Sequence, residues 1–107
     1  MRHAARRDAN DALITDALRK AGFLVHDYAK AGVGIPDKLI VKDDPSGIPW
    51  VCWVEIKTPR GKLRPSQIEF QSVFLARNEY YVARDPEETV REMMDRYLAS
   101  IKQEYWR

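Results

Sequence analysis

The chain has 107 residues, 45% of them hydrophobic and 32% charged, with 18 Lys and Arg against 16 Asp and Glu. That length suits one domain, residues 1–107, around one core, and a net charge of +2 excludes a uniformly basic coat as the basis of any nucleic-acid binding. The lone cysteine, Cys52, excludes an internal disulfide framework and fits a reducing, cytoplasmic setting, while no apolar run reaches the length of a membrane span.

The first predicted element is a helix from about Asp8 to Ala21. Leu13, Ile14, Ala17, Leu18 and Ala21 recur at helical spacing, and Gly22 is placed to end it. The preceding Met1-Arg2-His3-Ala4-Ala5-Arg6-Arg7 lacks the apolar core of a secretory signal, and the acids that follow argue against organelle targeting. Asp11 falls at the edge of the apolar stripe. It is either an exposed carboxylate favoured by the helix dipole or a third acid aimed at a site further on. Phe23–Tyr28 reads as a first strand near a sheet edge. His26 within it, like His3, has no second ligand at metal-binding spacing and reads as structural or solvent-facing.

A Gly-rich turn, Ala31-Gly32-Val33-Gly34-Ile35, leads into Pro36-Asp37 and a second strand, Lys38–Val41. The turn Asp43-Asp44-Pro45-Ser46-Gly47 then returns the chain into Trp50-Val51-Cys52-Trp53-Val54-Glu55-Ile56-Lys57, the strand around which the rest is organised. Side chains alternate along a strand, so Val51, Trp53, Glu55 and Lys57 share one face and Trp50, Cys52, Val54 and Ile56 the other. If the two strands pair as neighbours, Asp37 and Glu55 meet at the same end of the sheet. Two carboxylates there suit a hard divalent ion bound through oxygen.

Residues 57–64 hold Lys57, Arg60, Lys62 and Arg64 and no acid; without them the chain would carry 14 basic and 16 acidic residues. A charge cluster alone is a solvated loop, but directly after Glu55 and Lys57 it reads as a phosphate-facing rim. The next helix runs to about Arg77. It starts either at Pro65, with Arg64 as a poor cap, or after Ser66 in the capping box Ser66-Gln67-Ile68-Glu69. Gln67, three and seven residues before Phe70 and Phe74, stands on the inner side of its first turn as an ordinary polar residue or a site amide. Tyr80–Ala83 is a short strand. Asp85-Pro86-Glu87-Glu88 opens a last helix, about residues 86–105, with Val90, Met93, Met94, Tyr97, Leu98, Ile101 and Tyr105 along one face. Its first half suits the core; its second half, Leu98 to Trp106, suits a subunit interface.

The order helix, strand, strand with Pro36-Asp37, strand with Glu55-Ile56-Lys57, helix with Gln67, strand resembles the PD-(D/E)XK nuclease superfamily, most closely its VRR-NUC branch. Gly34-Ile35-Pro36-Asp37 and the long stretch Trp53 to Gln67 carry the resemblance, which covers about residues 8–84 and leaves the last helix outside. It implies an α/β, restriction-endonuclease-like αβββαβ core, a mixed central sheet flanked by helices, with an extra C-terminal helix. It also implies a Mg²⁺- or Mn²⁺-dependent DNA endonuclease with no organic cofactor. On that resemblance Asp37, Glu55 and the Ile56 carbonyl are metal ligands, and Lys57 positions the attacking water or stabilises phosphorane-like charge. Gln67 supports that lysine or the water. The first-helix acid falls at Asp11, shorter than the family's usual Glu, with Asp8 as competitor.

Arg60, Lys62 and Arg64 would hold flanking phosphates without reading bases. Short stand-alone members, many of them phage-borne, are similar in organisation to archaeal Holliday junction resolvases. The expected substrate is therefore branched DNA such as four-way junctions, cut symmetrically by a homodimer. A flap or single-strand nuclease of the same fold, and a non-catalytic nucleic-acid-binding module in which Asp37, Glu55 and Lys57 form a structural ion-pair network, are the alternatives.

Overall fold

The structure, a computed structural model, describes the backbone of residues 2–105 and the side chains of residues 9–102. The elements follow in the order α1 (Arg2–Lys20), β1 (Leu24–Asp27), β2 (Lys38–Lys42), β3 (Trp50–Ile56), α2 (Pro65–Phe74), β4 (Tyr80–Ala83) and α3 (Pro86–Tyr105). The four strands form one sheet in the order β1-β2-β3-β4; β1–β2 and β2–β3 are antiparallel and β3–β4 is parallel. The parallel step is possible because α2 carries the chain back along the sheet between β3 and β4.

The alternation along β3 divides the molecule into layers. Cys52, Val54 and Ile56 project into a core shared with Ile14 and Leu18 of α1, Ile40 of β2, Ala83 of β4 and Met93 of α3, with Phe23 closing one end. Burying each large aliphatic side chain there contributes about 1.5–3 kcal/mol. Helices α1 and α3 therefore pack together on this face. Trp53 projects the other way and meets Phe70 and Phe74 of α2, at ring-centroid separations of 5.4 and 6.5 Å, and Tyr28 at 5.6 Å. Thus α2 is the helix on the second face, with Tyr28 beside it, leaving the Glu55 end of that face beside the basic loop.

Local chemistry explains where the elements stop. Gly22 adopts φ +95°, and the Phe23 N–H donates to the Leu18 carbonyl at 3.1 Å, a left-handed cap that ends α1. Helix α1 starts at Arg2, earlier than the periodicity implied, because residues before Asp8 carry no breaker even though they extend no apolar stripe. Helix α2 begins at Pro65, so the start after Ser66 is not used. Pro65 takes the first helical position, where a missing N–H costs no hydrogen bond, and the Gln67 Oε1 accepts the Arg64 N–H at 2.8 Å in place of a cap from Arg64 itself. The helix tightens into a 3-10 turn at Leu75–Arg77 and ends at Asn78, φ +58°. Before α3, Asp85 Oδ2 accepts the Glu88 N–H at 2.9 Å, a cap worth about 0.5–2 kcal/mol.

On α3, Met93 is buried and Val90, Met94 and Tyr97 pack against the core, while Leu98 is 48% exposed. The expected interface residues Tyr105 and Trp106 lie outside the described side chains, as do His3 and Asp8. Among the described residues, no helix is long and apolar enough to cross a membrane.

Candidate active site

Registers bring the two predicted acids together. Lys38 pairs with Val54 across the antiparallel β2–β3 ladder, and continuing that register by one residue sets Asp37 opposite Glu55 on the α2 face. Both are buried, at 3% and 0% exposure. Asp37 is held from two sides: its Oδ2 accepts the Ile56 N–H at 3.0 Å, and its carbonyl accepts the Tyr28 N–H at 2.7 Å. The first bond is the physical link between the Pro36-Asp37 and Glu55-Ile56-Lys57 stretches, because Asp37 takes the amide that the end of β3 would otherwise leave unmatched. Lys57 places its ammonium 3.9 Å from Glu55 Oε2, and its own N–H donates to the Ala83 carbonyl at 2.9 Å.

Gly34 ties the acid-bearing loop to α2. Its φ is +82°, and a Cβ there would stand 2.4 Å from the Ser66 carbonyl oxygen, so the backbone of the loop lies directly on the residue before Gln67. Gln67 itself is 3% exposed and committed through Oε1 to the Arg64 N–H. The basic segment is shaped from below. Arg84, at the end of β4, donates from one guanidinium nitrogen to the Thr58 and Gly61 carbonyls, both at 2.7 Å. That leaves Arg60, Lys62 and Arg64 exposed.

Asp11 goes elsewhere. Its Oδ1 lies 3.0 Å from Lys38 Nζ and accepts the Thr15 hydroxyl at 3.1 Å. Lys38 neighbours Asp37 in the strand and so points to the opposite face, where its buried ammonium also pairs with Asp27 at 3.1 Å. Among the described residues no group of three Asp, Glu, His or Cys side chains is gathered as a metal site. The structure therefore assembles Asp37 and Glu55 without Asp11, for a plain reason: a buried lysine needs an anion, and α1 supplies the nearest one. The Asp8 side chain is outside the described residues.

A solved structure described as a VRR_NUC domain superposes on this chain with a TM-score of 0.64 at 21% identity, covering 82% of this chain and 94% of that one. The chain has the VRR_NUC fold. No family model and no curated protein matches the sequence. Within the VRR_NUC fold, the antiparallel β2–β3 pair bears the acids, α2 covers their face and the β4 end supports the loop beyond Lys57.

The donor set fits a hard divalent cation. Two buried carboxylates face one another, with neither thiolate nor imidazole among the predicted ligands. Their combined field is visible at Tyr80 of β4: burial first, then Glu55, then Asp37, push its phenol well above the ordinary tyrosine range. Several residues around the site escaped the sequence reading. Asn10 of α1 donates from Nδ2 to the Lys57 carbonyl at 3.0 Å, fixing the strand end from the helix side. Arg84 and Tyr80 are the others. Only the acid-poor composition of residues 57–64 hinted that the loop needed an internal anchor. Nothing in the pattern of β4 separated Tyr80 from an ordinary core tyrosine.

Proposed function

We propose that this chain is a divalent-metal-dependent endonuclease that hydrolyses DNA phosphodiester bonds and selects its substrate by structure, acting on branched DNA such as four-way junctions. The observation that carries the reading is the buried Asp37–Glu55 pair on adjoining strands, with the Lys57 ammonium 3.9 Å from Glu55 and the exposed Arg60, Lys62 and Arg64 in the segment that follows. Asp37, Glu55 and the Ile56 carbonyl would hold Mg²⁺ or Mn²⁺. Such an ion supplies Lewis-acid polarisation of the phosphoryl group and lowers the pKa of bound water.

The chain's own groups do the rest. Lys57 carries a fixed positive charge in a partly desolvated position, where it stabilises negative charge developing on the phosphate; removing one such group typically costs about 10²–10³ in rate. Gln67, anchored through its oxygen, keeps its amide N–H donors for Lys57's surroundings or for water. Arg60, Lys62 and Arg64 grip flanking phosphates, which gives binding without base readout and a steep loss of affinity with salt. Two symmetric cuts in a junction call for a twofold dimer, and the exposed Leu98 on the outer part of α3 supports a second copy docking there.

The test is cleavage of a labelled four-way junction, beside matched duplex and single strand, with Mg²⁺, Mn²⁺ or EDTA, for wild type and Lys57→Ala. Paired symmetric nicks that require metal and Lys57 are the expected result. Binding without cleavage on every substrate refutes the nuclease and leaves a nucleic-acid-binding module; cleavage of flaps or single strands alone keeps the chemistry and removes the junction preference.

A further inference from the structure

Tyr80 is a buried polar side chain on the α2 face that the fold does not itself match with a hydrogen bond. It is 3% exposed, and its hydroxyl finds no hydrogen-bond partner among the described residues. A hydroxyl in that state destabilises the fold relative to phenylalanine at the same place, since the ring alone makes the packing contact. That contact is with Phe70, at a ring-centroid distance of 6.4 Å.

Its position gives the hydroxyl a use. In the parallel β3–β4 ladder Tyr80 pairs with Trp53, two residues before Glu55, and Glu55 pairs with Val82. Paired residues project to the same face, so Tyr80, Trp53 and Glu55 all lie under α2. The phenol lies within the field of both acids, with Glu55 the stronger influence and Asp37 the weaker. Phe70 and Trp53 pack on this side of the sheet, so the hydroxyl is buried on the same sheet face as the two acids.

We propose that Tyr80 is a positioning residue of the Asp37–Glu55 site, its hydroxyl serving as a hydrogen-bond donor that orients the Glu55 carboxylate when a divalent cation is held. Donors behind metal-binding carboxylates fix which oxygen faces the ion and how strongly it binds. This inference rests on the proposed nuclease site and assigns it a member contributed by β4.

The experiment compares full-length wild type and Tyr80→Phe by thermal unfolding in EDTA and across a Mn²⁺ titration, with junction cleavage followed over pH in parallel. Phenylalanine keeps the Phe70 contact, so the variant folds, and in EDTA it melts a few degrees higher than wild type. The expected result is that the Mn²⁺ concentration giving half-maximal stabilisation rises by about tenfold or more, together with a fall in kcat and little change in KM for DNA. An unchanged Mn²⁺ midpoint and unchanged kcat in a variant that melts higher would overturn the inference, leaving the hydroxyl an unsatisfied core group. A wild type that Mn²⁺ does not stabilise would overturn the metal site itself, and this inference with it.

Discussion

Replacing Gly34 by alanine tests whether the acid-bearing loop and α2 are one mechanical unit. The added methyl meets two penalties. Gly34 has φ +82°, a left-handed conformation that costs an L-residue about 1–2 kcal/mol. In addition its Cβ would lie 2.4 Å from the Ser66 carbonyl oxygen and 2.7 Å from the carbonyl carbon, so the start of α2 must withdraw by about 0.6–1 Å. Strain of that kind in a packed region costs about 1–3 kcal/mol, giving a total of about 2–5 kcal/mol. A domain of ordinary stability can survive that loss, but the shift moves the first turn of α2, and Gln67 with it, relative to the loop that carries Asp37. Gly32→Ala is the matched control: φ is +72° and nothing lies within 4 Å of its Cβ, so only the conformational penalty applies. Urea unfolding of both variants, with unchanged m-values, isolates the steric part as their difference. Cleavage assayed well below either midpoint should fall at least tenfold for Gly34→Ala and stay near wild type for Gly32→Ala. Equal midpoints and equal activities would refute the claim that the loop rests on Ser66.

Three further outcomes follow from the same geometry. Asp11→Ala should lower stability by about 1–3 kcal/mol, because of the two carboxylates described at the buried Lys38 ammonium the exposed Asp27 alone remains, while metal-dependent cleavage persists at low temperature; loss of cleavage with unchanged stability would instead make Asp11 a ligand. Alanine at Arg60, Lys62 or Arg64 should each reduce the slope of log affinity against log salt by about 0.9, whereas Arg84→Ala should weaken binding with the slope intact, since Arg84 is bound to the Thr58 and Gly61 carbonyls. Binding titrations at several salt concentrations separate the two. Burial pushes the Cys52 thiol up from 9.0 to about 12, with Arg96 only partly opposing it. The native state thus holds the proton more tightly than the unfolded chain, so this stability is fully present below about pH 9 and is lost as pH climbs from there toward 12. Cys52→Ala should flatten that alkaline decline, although the raised Tyr80 and Tyr81 phenols retain part of it, and Cys52 in the native wild type should resist a thiol reagent at pH 8 until urea unfolds it.

Much of this architecture is legible residue by residue. The alternation in Trp50–Ile56 assigned Cys52, Val54 and Ile56 to the core and Trp53 and Glu55 to the other face, and the structure places each accordingly. The Asp85-Pro86-Glu87-Glu88 cap and the Gly22 stop were equally readable, because caps are made of neighbours in sequence. The pairing of Asp37 with Glu55 was inferable once β2 and β3 were taken as neighbours, since register follows from alternation and turn length.

What the sequence by itself determined, then, is periodic and local: which residues form helices and strands, which face each side chain takes, and that Glu55 and Lys57 share one strand end. Only the tertiary structure decided the partners. Helical spacing put Asp11 at the edge of a stripe, but its capture by Lys38 depends on how α1 docks against β2. The approach of Gly34 to Ser66, the reach of Arg84 under the basic loop and the burial of the Tyr80 hydroxyl, unmatched among the described residues, likewise depend on residues far apart along the chain. Periodicity fixes direction about an element's own axis; distance between elements is set by how their side chains interlock, and at this site that packing selects which charges meet.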